Sequence, residues 1–269
     1  MSEQITVGAH PWVFASRQEK YDIFPIMEQV FSDIAYAGFE GIELMHIPLL
    51  RPEAAKLVRR LSERHGLPVI GSSFGGAMWD RSREMEVLGQ AATVVEALEE
   101  LGGRTLGVST GAAPGKKTAE QLDQQAGVLR DIAAVCRASG VVMNLHNHTY
   151  EVEDGEYELS ETLKRFPQAE LGPDLDWLTR AGIDPIDFIR RRGERIVFLH
   201  LRDNKDGRWV ESVGEGTMDF GAIRRALDEV GFAGQAVVEL AWEADFEPTR
   251  PLRETLRMSR EHIRATMGW

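Results

Sequence analysis

A buried parallel strand is predicted over Ile196-Val-Phe-Leu-His200-Leu-Arg-Asp203, because apolar side chains fill the first half of this run. The strand ends in a histidine followed closely by an Arg-Asp pair. Two other strand-like runs end in carboxylates: residues 171–174 reach Asp174, and residues 234–239 reach Glu239. Parallel α/β folds place their chemistry where the strands end. We therefore expect His200 to meet carboxylates at one edge of a sheet.

Strand signals alternate with helix signals along the chain. The predicted strands cover residues 5–10, 41–45, 68–74, 105–109, 141–146, 171–174, 196–203 and 234–239, and the predicted helices cover 24–37, 52–64, 83–101, 118–138, 159–166, 184–192, 220–230 and 251–267. This alternation predicts parallel strands joined by right-handed crossovers. Eight such units in 269 residues, without a break in composition, predict a (β/α)8 TIM barrel as a single domain over residues 1–269.

An open doubly wound sheet is the alternative to the barrel. Such a sheet usually carries a glycine-rich turn for a dinucleotide after its first strand. The corresponding turn here is Ala9-His-Pro-Trp-Val-Phe14, which offers no cradle for a phosphate. The barrel is therefore favoured.

Composition and charge exclude several classes of protein. No apolar run approaches the length of about 20 residues that crosses a bilayer, so we expect no membrane partner. The first residues lack the pattern of a secretory signal, and the single cysteine, Cys136, permits no internal disulfide; both favour a cytoplasmic location. The net charge is −12, and the basic clusters at 190–192 and 224–225 lie among acids in predicted helices, which disfavours nucleic acid.

Chemistry-bearing side chains gather where the predicted strands end. Five of the seven histidines fall there, and the full set is His10, Trp12, Glu43, His46, Phe74, His146, Asn147, His148, Glu151, Asp174, Asp176, His200, Arg202, Asp203, Glu239, Trp242 and Glu243. A mixed set of histidines and carboxylates suits Mn²⁺, Co²⁺, Zn²⁺ or Fe²⁺. Asp174, His200 and Glu239 come from three successive strands and form one side of such a site. The fourth ligand is open between Glu151 and His146.

These motifs resemble the xylose-isomerase-like sugar phosphate isomerase and epimerase superfamily. The resemblance covers nearly the whole chain and rests on residues 38–44, the run His146-Asn-His-Thr-Tyr-Glu151, residues 174–185, 195–203, 213–216 and 234–239. It implies a TIM barrel with one divalent ion, Mn²⁺ first and Mg²⁺ also possible, held by Asp174, His200, Glu239 and Glu151. Ketose epimerases of the family usually carry a glutamate in strand five, where this chain has His146. The chain is more similar to the branch with His-Asn-His-x-x-Glu.

The resemblance also implies a reaction. A metal that chelates a carbonyl and the neighbouring hydroxyl stabilises the enediolate formed by proton loss. Glu151 and Glu239 are the predicted proton-transfer groups, and protonation on the far face gives an epimerase. Protonation of the adjacent carbon gives an isomerase, and expulsion of a β-hydroxyl gives a dehydratase or lyase acting on a keto-sugar, an inosose or a dehydroshikimate-like compound. The sequence leaves these three reactions open.

Six further residues are predicted to contact a carbohydrate substrate: His10, Trp12, Glu43, His146, His148 and Arg202. Four of them have a structural alternative. Arg202 is as often a buried ion pair, Glu43 can pair with His10 or Arg202, and an aromatic residue such as Trp12 at a barrel rim is more often packing. His148 is also suited to orienting a neighbour.

Two other functions remain as alternatives. The first is an apurinic-site endonuclease with three zinc ions, which would need ligands at strands three and four, where this chain has Ser72-Ser73-Phe74 and Val108-Ser109-Thr110. The second is a sugar-binding barrel without catalysis. A homodimer is a possible assembly.

Overall fold

Eight parallel strands form a barrel in the computed structural model, which describes residues 5–269. The barrel strands are β1 (Val7–His10), β2 (Ile42–Met45), β3 (Val69–Gly75), β4 (Thr105–Ser109), β5 (Val142–Leu145), β6 (Glu170–Leu171), β7 (Phe198–Leu201) and β10 (Gln235–Glu239). Between the last two, β8 (Asn204–Lys205) and β9 (Arg208–Trp209) form an antiparallel hairpin. The predicted domain starts at residue 1 and the predicted absence of a signal segment rests partly on residues 1–4, which lie outside the described residues.

The order of hydrogen-bonded strands is β6-β5-β4-β3-β2-β1-β10-β7. Two isolated parallel bridges, Leu171 with Ile196 and Asp174 with His200, join the ends of this sheet. The sheet is thereby closed, and the predicted (β/α)8 TIM barrel is confirmed. Ile70, Phe198 and Val237 form a small separate core cluster, while the main core involves side chains of both strands and helices.

Eleven α-helices connect or follow the strands in residues 5–269. They are α1 (Trp12–Ala15), α2 (Met27–Tyr36), α3 (His46–Leu49), α4 (Ala54–His65), α5 (Glu84–Leu101), α6 (Ala119–Ala138), α7 (Thr149–Arg165), α8 (Leu175–Arg180), α9 (Pro185–Arg192), α10 (Phe220–Glu229) and α11 (Leu252–Met267). Local capping explains several of their starts. Thr118 and Gln121 form a reciprocal capping box before α6, and Asp184 caps α9 with Pro185 in its first turn. None of the helices in this range has the length and apolar character to span a membrane.

Two segments differ from the predictions in a way that affects the site. The predicted helix 159–166 is the second half of α7, which begins at Thr149 and is interrupted at Glu153–Glu156, where Asp154, Gly155 and Glu156 adopt positive φ. Non-glycine residues rarely adopt positive φ, so the sequence did not predict this interruption. The apolar periodicity therefore predicted only the part of α7 that follows it. The predicted strand 171–174 ends at Leu171, and Asp174 instead caps α8.

Candidate active site

A cavity of about 430 Å³ opens where the barrel strands end. All five histidines predicted for this face line it: His10, His46, His146, His148 and His200. The other two histidines belong to the outer helices α4 and α11. Glu239, the last residue of β10, lines the same cavity. The histidine clustering predicted from the sequence thus corresponds to one space at the barrel mouth.

His200 lies at the centre of the buried polar groups. Its Nε2 is 2.7 Å from Glu43 Oε2 and its Nδ1 is 3.1 Å from His146 Nδ1. Burial opposes a charge on this imidazole, but Glu43, Glu239 and Asp174 outweigh burial and raise the pKa of His200 to about 9. Burial and the neighbouring His200 hold the pKa of His146 well below its ordinary value. Glu43 therefore pairs with His200, whereas the sequence had suggested His10 or Arg202 as its partner.

His10 is held in one tautomer by its neighbours. Its Nδ1 accepts from the backbone N–H of Trp12 at 3.2 Å, so its Nε2 carries the hydrogen and donates to Ser73 Oγ at 3.0 Å. Burial lowers the pKa of His10, which is consistent with this neutral form. Glu239 Oε1 approaches the same Nδ1 at 3.4 Å. The ring is thus fixed at the cavity wall.

Arg202 bridges two carboxylates. Its Nε is 2.6 Å from Asp174 Oδ2 and an Nη atom is 2.6 Å from Glu239 Oε1. The Nε–H does not point at Asp174 Oδ2, so this oxygen has no hydrogen bond despite being buried. Burial raises the pKa of Asp174, whereas the positive neighbours, Arg202 first, overcome burial and lower the pKa of Glu239. Arg202 is therefore the buried ion pair that the sequence left as an alternative to a substrate contact.

Backbone contacts hold Asp174 in place. Its Oδ1 accepts from the N–H groups of Asp176 and Trp177 at 3.0 and 3.2 Å, which caps α8. Asn147 donates from Nδ2 to the carbonyl of Asp174 and accepts its N–H at Oδ1. This pair of bonds fixes the β5 loop to the β6 loop. Asn147 lies between the two histidines of the His-Asn-His run, at the end of the fifth predicted strand.

Glu151 lies in a different place from the other predicted metal ligands. Its Oε1 accepts from Ser109 Oγ and from the N–H of Thr110, both at 2.8 Å, and its Oε2 accepts from the N–H of His148 at 2.6 Å. The last bond belongs to the capping box of α7. Glu151 lines a separate cavity of about 20 Å³ together with Glu158. The structure does not bring it together with Asp174, His200 and Glu239.

A buried ion pair behind Glu151 was missed by sequence reasoning. Lys117 Nζ donates to Glu158 Oε1 at 2.6 Å, to Gln125 Oε1 at 2.8 Å and to Thr110 Oγ1 at 3.1 Å. Burial lowers the pKa of Lys117 and raises that of Glu158. The only signal is a lysine that follows a glycine and another lysine in a loop, which is typical of an exposed segment.

Several aromatic side chains line the large cavity. Trp12 stacks on Tyr21 with ring centroids 5.2 Å apart, and both line the cavity. Tyr150 also lines it, stacks on His148 and contacts Ser109 Oγ at 2.8 Å. The sequence predicted Trp12 and His148 here but neither tyrosine, because each tyrosine lies in an irregular segment or a first helical turn.

The polar groups fit a divalent metal ion in their chemistry. Asp174 Oδ2 is buried without a hydrogen bond, and Glu43 holds His200 Nε2, which leaves His200 Nδ1 directed at His146 Nδ1. A carboxylate on the far nitrogen of a histidine is a common support for a metal ligand. Within residues 5–269, however, no three His, Cys, Asp or Glu side chains already stand as ligands around one point.

A family profile described as xylose isomerase-like TIM barrel matches residues 31–262. The chain belongs to this family. It is 23% identical over 270 residues to an inosose dehydratase of Geobacillus kaustophilus, covering 88% of this chain and 86% of that protein. It is 24% identical over 248 residues to an L-ribulose 3-epimerase of Mesorhizobium japonicum, covering 84% and 78%.

Solved structures show the same fold. A D-allulose 3-epimerase from a Methylomonas species superposes with a TM-score of 0.80 at 16% identity and covers 98% of each chain. The family, the barrel and the relatives agree with the resemblance predicted from the motifs.

Proposed function

We propose that this protein is a sugar epimerase or isomerase that moves a proton on a carbon next to a carbonyl. The observation that carries the proposal is the placement of Glu239 in one cavity with five histidines. Proton transfer needs an ionised carboxylate at the reacting carbon and polar groups that hold the substrate hydroxyls. The relatives support the reaction class, because an L-ribulose 3-epimerase is among them.

Glu239 is the group that we expect to remove the proton. Arg202 lowers the pKa of Glu239 and so keeps this carboxylate ionised. Glu239 Oε2 lies 3.6 Å from His200 Nε2. A carboxylate that is ionised at neutral pH is ready to accept a proton from a carbon next to a carbonyl. Glu239 thus keeps the role predicted for it.

His148 is our candidate for the proton transfer on the opposite face. It lies on the β5 loop, three strands from β10 around the barrel, and it lines the cavity with about a third of its side chain exposed. Glu151 accepts its backbone N–H and lies 3.4 Å from its Nδ1. Glu151 therefore acts as a positioning residue behind His148, in place of the direct proton transfer predicted from the sequence.

The hydroxyls of a sugar find partners on the remaining cavity walls. His10 and Ser73 form one hydrogen-bonded pair, and Ser109 with Tyr150 forms another. Each pair contains a group able to donate as well as accept, which matches the dual character of a hydroxyl. His146 is the remaining polar side chain near the reacting position.

We also propose a dependence on one divalent metal ion, Mn²⁺ first, with Co²⁺, Zn²⁺, Fe²⁺ or Mg²⁺ as alternatives. Asp174, His200 and Glu239 would hold it, and His146 replaces Glu151 as the fourth residue because it contacts His200. Such an ion supplies Lewis-acid polarisation of the carbonyl. Metal analysis should find one equivalent per chain in the wild type and in the surface variant His65→Ala, and a strong reduction in His200→Ala. Equal metal in all three would remove the metal proposal.

A dehydratase is the second candidate, because an inosose dehydratase is among the relatives. The same proton removal starts both reactions, and they differ in whether a β-hydroxyl leaves. The wild-type protein, loaded with Mn²⁺, is incubated in D₂O with ketoses, keto-glycosides, inososes and dehydroshikimate. Deuterium gain without loss of water supports the epimerase or isomerase, and loss of water supports the dehydratase. If no compound exchanges a proton or loses water, the proposed reaction is wrong.

A further inference from the structure

The lining of the large cavity contains no cationic side chain of the lysine or arginine type in residues 5–269. A phosphate dianion in a protein is normally held by such cations or by several free backbone N–H groups. The nearest guanidinium in the site is that of Arg202, which is 4% exposed and already paired with Asp174 and Glu239. Its charge is therefore compensated within the protein. A phosphorylated sugar would bring two negative charges next to Glu239, where the lining described in residues 5–269 supplies no lysine or arginine to compensate them.

A side chain of this protein occupies the position at which many TIM barrels bind a phosphate. TIM barrels frequently bind phosphate with the loops that follow the seventh and eighth strands. The loop after the β8–β9 hairpin directs three N–H groups, those of Gly214, Gly216 and Met218, at the carboxylate of Asp203, at 2.8, 2.9 and 3.1 Å. Converging backbone N–H groups form a nest for an anion. Here the anion is a side chain that is 4% exposed.

The loop packs closely against Asp203. A Cβ atom at Gly216 would collide with the Asp203 carboxylate and with the carbonyl of Asn204, so a glycine is needed for the loop to approach. Asp203 belongs to the Arg-Asp pair at the end of the β7 segment, and its carboxylate fills the nest that would otherwise attract a phosphate.

Apolar side chains also line the cavity. Trp12 and Tyr21 are stacked, and Met45, Ile47 and Phe74 continue this surface. The volume of about 430 Å³ falls within the range of about 300–1,000 Å³ that is common for pockets of drug-sized ligands. The histidines, Glu239 and the apolar side chains of this lining together match a ligand with a polar ring and an apolar substituent.

We infer that the substrate is an uncharged, non-phosphorylated sugar that carries an apolar substituent, as in a keto-glycoside with an aromatic aglycone. The sugar ring lies against Glu239 and the histidines, and the substituent packs on Trp12, Tyr21 and Phe74. The inference rests on the proposed function for the position of the reacting ring. It specifies the substrate class within that function.

Calorimetric binding to the full chain tests both halves of the inference. The first pair of probes is D-fructose and D-fructose 6-phosphate, and we expect the phosphate to weaken binding about tenfold or more, because its charge is buried without a partner. The second pair is methyl and phenyl 3-keto-β-D-glucoside, and we expect the phenyl group to strengthen binding about tenfold or more through apolar burial. Inorganic phosphate should neither bind nor compete.

Trp12→Ala should remove most of the phenyl preference, whereas Tyr36→Ala, which loses an exposed aromatic ring on α2, should keep it. The inference is overturned if D-fructose 6-phosphate binds as tightly as D-fructose, if phenyl and methyl compounds bind equally, if Trp12→Ala keeps the full phenyl preference, or if none of the four probes binds. Deuterium exchange separates this result from the proposed reaction. Selective binding of the phenyl compound without deuterium exchange would support the substrate class and contradict the proposed reaction. Deuterium exchange into D-fructose 6-phosphate would support the proposed reaction and contradict the substrate class.

Discussion

Two buried polar regions lie at the same end of the barrel, and they differ in how completely their hydrogen bonds are satisfied. The open cluster consists of Asp174, His200, Arg202 and Glu239, at or just beyond the carboxyl ends of β6, β7 and β10. The closed network consists of Ser109, Thr110, Lys117, Glu151 and Glu158 behind β4 and β5. In the open cluster Asp174 Oδ2 and Arg202 Nε lie 2.6 Å apart as an ion pair without an aligned hydrogen bond, and Arg202 Nη1 has no hydrogen bond. In the closed network each of the five side chains is hydrogen-bonded.

This difference indicates which region performs the reaction and which region positions it. Buried polar atoms without hydrogen bonds are costly and are retained mainly where a ligand or a reaction uses them. Glu239 and His200 also line the large cavity, whereas Lys117 and Glu158 do not. We therefore assign the reaction to the open cluster and the positioning of the β5 loop to the closed network. The predictions below test this division.

The largest effect on stability is expected from Lys117→Met. This change leaves Glu158 buried without its cation, and loss of one partner of a buried pair costs about 3–5 kcal/mol of unfolding free energy. Denaturant titration measures the loss. Lys164→Met is the matched control, because Lys164 pairs with Glu161 at the surface and should change stability little. Equal stability of the two variants would show that the closed network does not hold the fold.

The fourth metal residue provides the next test. His146→Ala should weaken Mn²⁺ binding at least about tenfold, while Glu151→Gln should leave it within about threefold, because only His146 contacts His200. Calorimetric titration of the metal-free protein with Mn²⁺ gives both affinities. The reverse order would return Glu151 to the position predicted from the sequence.

The smallest effect is the pH dependence of the closed network. Burial alone would raise the pKa of Glu151, but hydrogen bonds from His148 and Ser109 lower it below its ordinary value of 4.5. The carboxylate therefore stabilises the fold above that pH, and this contribution is lost as the pH falls through the lowered pKa. We expect Glu151→Gln to cost about 1–2 kcal/mol at pH 7 and less at about pH 3.5. A cost that is the same at both values would contradict this role.

The sequence predicted the features that local patterns encode. Apolar runs gave the barrel strands, and the carboxyl ends of those strands gave the five cavity histidines and Glu239. Glu151 shows the limit of this reasoning. Its spacing after His146 suits a metal ligand as well as a capping residue, and only the approach of Ser109 and Thr110 from β4 decides between them.

Contacts between distant segments were beyond the sequence patterns. Lys117 meets Glu158 across 41 positions, and Glu43 meets His200 across 157. Arg202 was predicted either as a substrate contact or as an ion pair, and its choice depends on the simultaneous proximity of Asp174 and Glu239. The periodicity of apolar residues carries no information about contacts over such sequence separations.

Glu239→Gln, assayed in D₂O with the substrate found in the panel, tests the central claim most directly. The surface variant Glu247→Gln serves as its matched control. If the open cluster performs the proton transfer, Glu239→Gln should lower deuterium incorporation about 10²–10⁴-fold while the protein stays folded, and Glu247→Gln should match the wild type. Wild-type incorporation by folded Glu239→Gln would contradict the account.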